Sequence, residues 1–341
     1  MTVYIRRDAD GLVVIAPPGA PTVLDGTPAI DTAVLEVLGG HLSWSLPAGQ
    51  RIPAAVIDDL DLAQEWIWAV YGERIALVIA EVGGEDEEFA VDPSRPELVS
   101  AAWRLGYAHW AARWWPASTI DGIAPLDAGL LAEEIAKLTE ECEALVDGAD
   151  ASMHATEPAT TESLGRAEDY ALAAGPGARA GALILSRGTG GWDWRRCPPG
   201  LLDASERAVT WTVTRESGAT VVRVGVVAAP GLGTALDLPA LLRPRAIIGT
   251  STGSTEAELT LTGDTWIGEA TPPSSTDSTA NVDIYVPGVG PAAPSAPNAP
   301  QLRQQVRDLA TARLRRATGT IDHVDALLLA EIAAAASDSD Y

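Results

Sequence analysis

The run Gly249-Thr250-Ser251-Thr252-Gly253 has the spacing G-x-S-x-G, in which a serine raised on a sharp turn becomes a nucleophile once a base takes its proton. Asp264, Asp277 or Asp283, and then His323, supply an acid and a base in the chain order Ser–acid–His. That chemistry needs a strand-to-helix turn at the end of a parallel sheet. Residues 254–261 instead alternate polar and apolar, and no glycine-rich oxyanion loop precedes them. A hairpin turn of Ser, Thr and Gly is the expected reading, with a serine hydrolase using Ser251 as the alternative.

Metal and nucleotide chemistry find less support. His41, His109, His154 and His323 show neither H-E-x-x-H nor E-x-x-H spacing, and there is no C-x-x-C. Asp58, Asp59 and Asp61, and the turn from Glu85 to Glu88, could attract a divalent cation but lack EF-hand spacing, so they are expected to be solvated charge. No phosphate-binding glycine loop in strand–helix context is present. No catalytic residue, metal or cofactor is therefore expected.

Three groups of residues have the chemistry of contact. In Trp192-Asp193-Trp194-Arg195-Arg196-Cys197-Pro198-Pro199-Gly200, an extended backbone would place Trp192, Trp194 and Arg196 on one side and Asp193, Arg195 and Cys197 on the other. Tryptophan beside arginine is the usual chemistry of interface anchors, although the same residues could clamp one part of the chain onto another. Trp103, Tyr107, Trp110 and Trp114 are spaced 4, 3 and 4 apart, one face of a helix, and read more readily as core than as interface. Arg303, Arg307, Arg313, Arg315 and Arg316 make a basic helix whose apolar stripe is Leu302, Val306, Leu309 and Ala310. Such a helix suits an acidic surface of this chain or of another subunit. Trp192, Trp194, Arg195, Arg196, Arg303, Arg307 and Arg313 are thus the candidate partner-binding residues. Trp211 and Trp266, if exposed, would offer a third possibility, a ligand-binding β-sandwich.

The 341 residues suffice for two domains of ordinary size. The net charge of −24 is uneven: residues 1–150 hold 26 carboxylates against 8 basic residues, and residues 151–341 hold 21 against 15. That field disfavours phosphate backbones and anionic membranes, so no nucleic acid and no membrane are expected as partners. Cys142 and Cys197 fit no disulfide framework, and the apolar run after Arg6-Arg7 is too short for a signal segment. A cytoplasmic location is the expectation.

Periodicity then places the elements. Residues 2–7 and 12–16 read as a hairpin, 30–38 as a short helix, 55–70 as a helix, and 75–82 and 88–91 as strands. Pro96 opens a helix ending at Pro116, and Asp127 caps another that runs to Leu145. Residues 147–163 lose periodicity and read as a linker, followed by a short helix at 164–174. Strands at 207–214, 220–228, 245–250, 256–261, 265–270 and 281–286 have the spacing of an antiparallel sandwich. Residues 291–300 form a Pro/Ala connector, helices follow at 301–318 and 322–336, and 337–341 is a polar tail. The expected fold is α+β: an α-rich domain over 1–146 with a small β-hairpin, a β-sandwich over 164–290, and C-terminal helices over 301–336.

The segments Trp114-Trp115-Pro116-Ala117-Ser118-Thr119-Ile120-Asp121-Gly122-Ile123 and Trp192 to Gly200 resemble stretches of uncharacterised actinobacterial proteins. Some of these belong to multi-gene systems with MoxR-type ATPases and von Willebrand A-type partners. The bias to arginine and alanine, with Lys137 the single lysine, agrees with a high-GC genome. The resemblance implies a non-catalytic part of a multiprotein assembly in defence or stress, with a protein partner or a second copy of the chain as its ligand.

Overall fold

A computed structural model describes residues 1–8, 10–25, 30–79, 87–146, 183–216, 218–233, 238–250, 253–272, 281–289, 298–317 and 327–338. Among them lie three antiparallel sheets and six helices, a mixed α/β fold. The chain divides into two compact units, each discontinuous. Met1–Trp115, Leu126–Pro158 and Gln301–Tyr341 make the first, and Pro116–Pro125 with Ala159–Pro300 the second. The C-terminal helices therefore belong with the first unit, where a linear reading sets them apart.

The first unit holds a six-stranded sheet in the order β3-β4-β5-β2-β1-β6, so it is far richer in strand than its sequence pattern suggests. The hairpin β1 (Thr2–Arg7) and β2 (Val13–Ala16) forms as expected. The segment expected to be a helix at 30–38 is β3 (Thr32–Val37), paired with β4 (Gly40–Ser45). Ala33, Leu35 and Val37 are buried at alternate positions, the period of a strand, and Gly39 turns the chain at φ +71°. β5 (Ala54–Ile57) is buried at all four positions, as befits a strand inside the sheet. The expected helix at 55–70 thus divides, and α1 (Leu60–Tyr71) starts only where Asp59 accepts the amides of Asp61 and Leu62.

The expected strand at 75–82 is also corrected: residues Glu73–Val78 form α2, which buries Ile75, Ala76 and, at its end, Ile79. That i, i+1, i+4 spacing is helical, whereas the run of six apolar residues over 75–80 fits either state by pattern alone. β6 (Glu87–Ala90) closes the sheet beside β1. α3 (Pro96–Trp114) and α4 (Ala128–Glu141) begin at Pro96 and at the Asp127 cap, where Asp127 Oδ1 accepts the Leu130 amide at 2.9 Å. Gly106 on α3 makes room for Trp44 of β4, since a Cβ there would lie 3.0 Å from the indole. α5 (Ala299–Ala317) and α6 (Leu329–Asp338) complete the unit, α6 starting later than the expected residue 322.

The second unit contains β7 (Leu183–Gly190), β8 (Val209–Glu216), β9 (Ala219–Val227), β10 (Arg245–Thr250), β11 (Gly253–Glu258), β12 (Thr260–Thr262), β13 (Thr265–Ala270) and β14 (Asn281–Tyr285). They form a five-stranded sheet, β12-β13-β9-β8-β7, and a three-stranded sheet, β11-β10-β14. β8, β9, β10, β13 and β14 were legible as such, and β7 was not: its Leu183-Ile184-Leu185 start runs into Ser, Arg and Gly, and its register shifts between Ile184 and Ser186. The expected strand at 256–261 crosses between the sheets, because buried Leu259 separates β11 from β12. β9 buries Val222, Val224 and Val226, and β13 buries Trp266, leaving one apolar face per strand. The expected linker, the helix at 164–174 and the connector at 291–297 lie outside the described residues.

Candidate functional site

The Trp192–Gly200 segment is not extended. Trp194–Arg196 form a turn of 3-10 helix, because the Asp193 carboxylate accepts the Arg195 amide at 3.1 Å and clasps its guanidinium (Nη2 to Oδ2, 2.7 Å). Trp192 and Trp194 are 7% and 5% exposed, and Trp192 Nε1 donates to the Asp203 carbonyl at 2.7 Å. Their role as surface anchors is corrected: an indole held inside by a carbonyl has no face left for a partner. Arg195 is engaged by Asp193, and the Arg196 carbonyl accepts the Val286 amide at 2.9 Å.

Asp203, fully buried, gathers the neighbourhood. Its carboxylate accepts from Ser118 Oγ and the Thr119 amide at 2.7 Å each, from the Ser205 amide at 2.9 Å, and from the Ile120 amide at 3.4 Å. A serine hydroxyl on a carboxylate superficially suggests nucleophile activation. Here Oγ donates to the acid and accepts the Asp121 amide at 2.9 Å, so both roles are spent on the turn. Pieces of the two segments that carry the sequence resemblance thus meet at one residue, the first on the Asp203 carboxylate and the second, through Trp192, on its backbone carbonyl. Sequence reading missed Asp203 because Ser118, Thr119 and Ile120, which donate to it, are more than 80 residues upstream and Leu-Leu-Asp-Ala-Ser reads as an ordinary turn.

The basic helix is likewise turned inward. Arg303, Arg307 and Arg313 are buried, so these three are corrected from partner-binding side chains to internal ones. Arg313 reaches both oxygens of Glu331 on α6, with Nη2 to Oε2 at 2.7 Å, and its Cζ lies 4.2 Å from the centre of the Tyr107 ring. Tyr107 donates its hydroxyl to Glu331 at 2.7 Å and stacks between Trp103 (5.3 Å) and Trp110 (5.4 Å). Burial foremost, and Glu331 beside it, push the Tyr107 phenol well above its ordinary range. Glu134 of α4 binds Arg104 at 2.6 Å and accepts the Leu329 amide at 2.7 Å, which supplies a cap for α6. Of the α3 stripe, Tyr107 and Trp110 are core, as the helical spacing favoured, whereas Trp103 and Trp114 are half-buried.

Among the described residues the remaining candidates carry no assembled chemistry. β10 and β11 pair from Arg245↔Glu258 to Thr250↔Gly253, so the G-x-S-x-G run joins two antiparallel strands, without the helix that lifts a nucleophile. Ser251 and His323 themselves lie outside the described residues. Trp266 is 3% exposed and donates to the Leu201 carbonyl at 3.2 Å, which corrects it as a ligand platform; Trp211 is partly covered and lies across Gly188, where a Cβ would meet its ring. Burial pushes the Cys142 thiol up to about 12 and the Cys197 thiol higher still. Among the described residues no group of three or more His, Cys, Asp or Glu is placed to hold a metal, and no helix is long and apolar enough to cross a membrane.

A surface that the sequence did not flag remains. On α1 and α2, Trp68 is 43% exposed, Leu62 55% and Leu77 68%. Gln64 Nε2 donates to the Ala76 carbonyl at 3.2 Å, which fastens the two helices beside Trp68 (one turn along from Gln64) and Leu77 (next to Ala76). The exposed positions Asp61, Glu65 and Trp68 recur at i, i+4 and i+7, so the outward stripe was readable as polar apart from its tryptophan.

No protein-family model matches the chain, and neither a curated protein nor a solved structure does.

Proposed function

We propose that the chain is a non-catalytic interaction or adaptor component of a cytoplasmic multiprotein assembly. One observation carries the reading: Trp68, Leu62 and Leu77 stay exposed on a pair of helices while the strongest polar groupings, at Asp203 and at Glu331–Arg313, are spent on internal bonds. Exposed tryptophan and leucine on two helices fastened to each other are the material of a contact surface. The resemblance of residues 114–123 and 192–200 to uncharacterised actinobacterial proteins, some of them from MoxR and von Willebrand A-type systems, adds the context of defence or stress. In this reading the second unit is an antiparallel β-sandwich serving as scaffold, a view supported by the single apolar face of β9, β10, β13 and β14.

The test is isolation of the tagged full chain from the cells that make it, with its mass measured by light scattering. A stable complex heavier than the 35.5 kDa chain is expected. A monodisperse species of 35.5 kDa, with no partner retained, refutes the proposal.

A further inference from the structure

We infer that the outward surface of α1 and α2 docks a cationic amphipathic helix of a partner protein; this rests on the interaction reading and names the chemistry of the partner. Leu62 lies about 120° round α1 from Trp68, beyond Asp61 and Glu65, so the apolar part of the surface is Trp68 of α1 with Leu77 of α2. Around it lie Asp58, Asp59, Asp61, Glu65 and Glu73, all exposed. None of the five is ion-paired among the described residues, and Asp59 is engaged only in capping α1. One cation, Arg74, shares these helices, and its guanidinium lies over the Phe89 ring, 5.7 Å from the centroid.

Exposed Trp68 and Leu77 set among five carboxylates that form no ion pair among the described residues select their occupant. A second copy of the same surface would set acid against acid, and a phosphate backbone or an anionic membrane meets the same repulsion. A helix with apolar residues at i, i+3, i+4 and i+7 can lay that stripe along two packed helices, with Trp68 as the anchor. Lysine or arginine at the edges of that stripe would then face Asp61, Glu65 and Glu73. The carboxylates set orientation and speed of encounter, and the indole supplies most of the hold.

The experiment is calorimetric titration of the full chain with two synthetic helical peptides. One repeats Leu and Lys at helical spacing, and the other replaces every Lys by Gln. The cationic peptide should bind, and the Gln peptide should bind at least about tenfold more weakly. Trp68→Ala with Leu77→Ser, and separately Asp61→Asn with Glu65→Gln and Glu73→Gln, should each weaken the cationic peptide by about tenfold or more. The same number of charges removed from α4 and the turn after it, by Glu133→Gln, Glu140→Gln and Glu143→Gln, should change binding by less than about twofold. No binding to the unsubstituted chain, equal losses from both charge-removal sets, or undiminished binding to the Trp68/Leu77 variant each overturns the docking site. In cells, a complex that survives Trp68→Ala/Leu77→Ser overturns the site and leaves the interaction reading standing. A chain isolated alone overturns the interaction reading itself.

Discussion

Replacing Asp203 by alanine tests the assignment of its carboxylate to architecture. The substitution strips acceptors from Ser118 Oγ and from the amides of Thr119 and Ser205, all held at 2.9 Å or less. Hydrogen bonds to an ionised acceptor contribute roughly 1.5–3 kcal/mol each, and orphaned buried donors add their own desolvation cost. Partial relaxation around the truncated side chain brings the expected loss to about 3 kcal/mol. Site-resolved hydrogen exchange reads this directly, because the amides of β8, β9 and β13 report opening of the second unit. A loss of about 3 kcal/mol accelerates their exchange by roughly 150-fold, while β1, β2 and β5 of the first unit stay unchanged. The variant Ser118→Ala should cost about 1 kcal/mol, and the double variant less than the sum, since both remove the same bond. Acceleration below about fivefold in β8 and β9 would refute the argument that this carboxylate holds the unit together.

Trp194→Ala should destabilise the chain by about 3–5 kcal/mol through the cavity it leaves, measured by the urea midpoint. Folded-state pKa values above the ordinary 10.0 for Tyr71 and Tyr107 mean that the native chain holds these protons more tightly than the unfolded one. Their contribution is whole below pH 10 and is lost as pH rises through the folded values, so alkaline urea titrations of Tyr71→Phe/Tyr107→Phe should show a flatter decline above pH 10 than the unsubstituted chain. Cys142 and Cys197 should react with a thiol reagent at neutral pH only once urea has opened the chain; reaction of either thiol in native buffer would contradict their burial.

Helices with clear punctuation were legible in the sequence. Pro96, Asp127 and the helical spacing of the aromatics between Trp103 and Trp114 located α3 and α4, because caps and period act locally. Strands of the second unit were legible for the same reason, Val222, Val224 and Val226 alternating with exposed or half-buried neighbours. The first sheet was not. β5 is apolar at every position and α2 is only six residues long, so both present short apolar runs that helix and strand share. The proposed site fared worse still, since an apolar residue in a predicted helix counts toward its core face. The helical period sets exposed Trp68 on the face of Asp61 and Glu65 and buried Trp66 on the opposite one, but it does not mark that outward face as a site. The arginines of α5 misled in the opposite sense, because Glu331, which draws Arg313 inward, is 18 residues further along the chain.

That ion pair has a bearing on biosynthesis. Tyr107 is made early, and the carboxylate that accepts its hydroxyl belongs to residue 331, so on the ribosome the first unit must wait for almost the whole of this sequence before α6 can seat. The strands between residues 183 and 285 emerge sooner than α6 and can complete their sheets during that interval. The half-built first unit, with Tyr107 still lacking Arg313 and Glu331, is then the species that chaperones would meet.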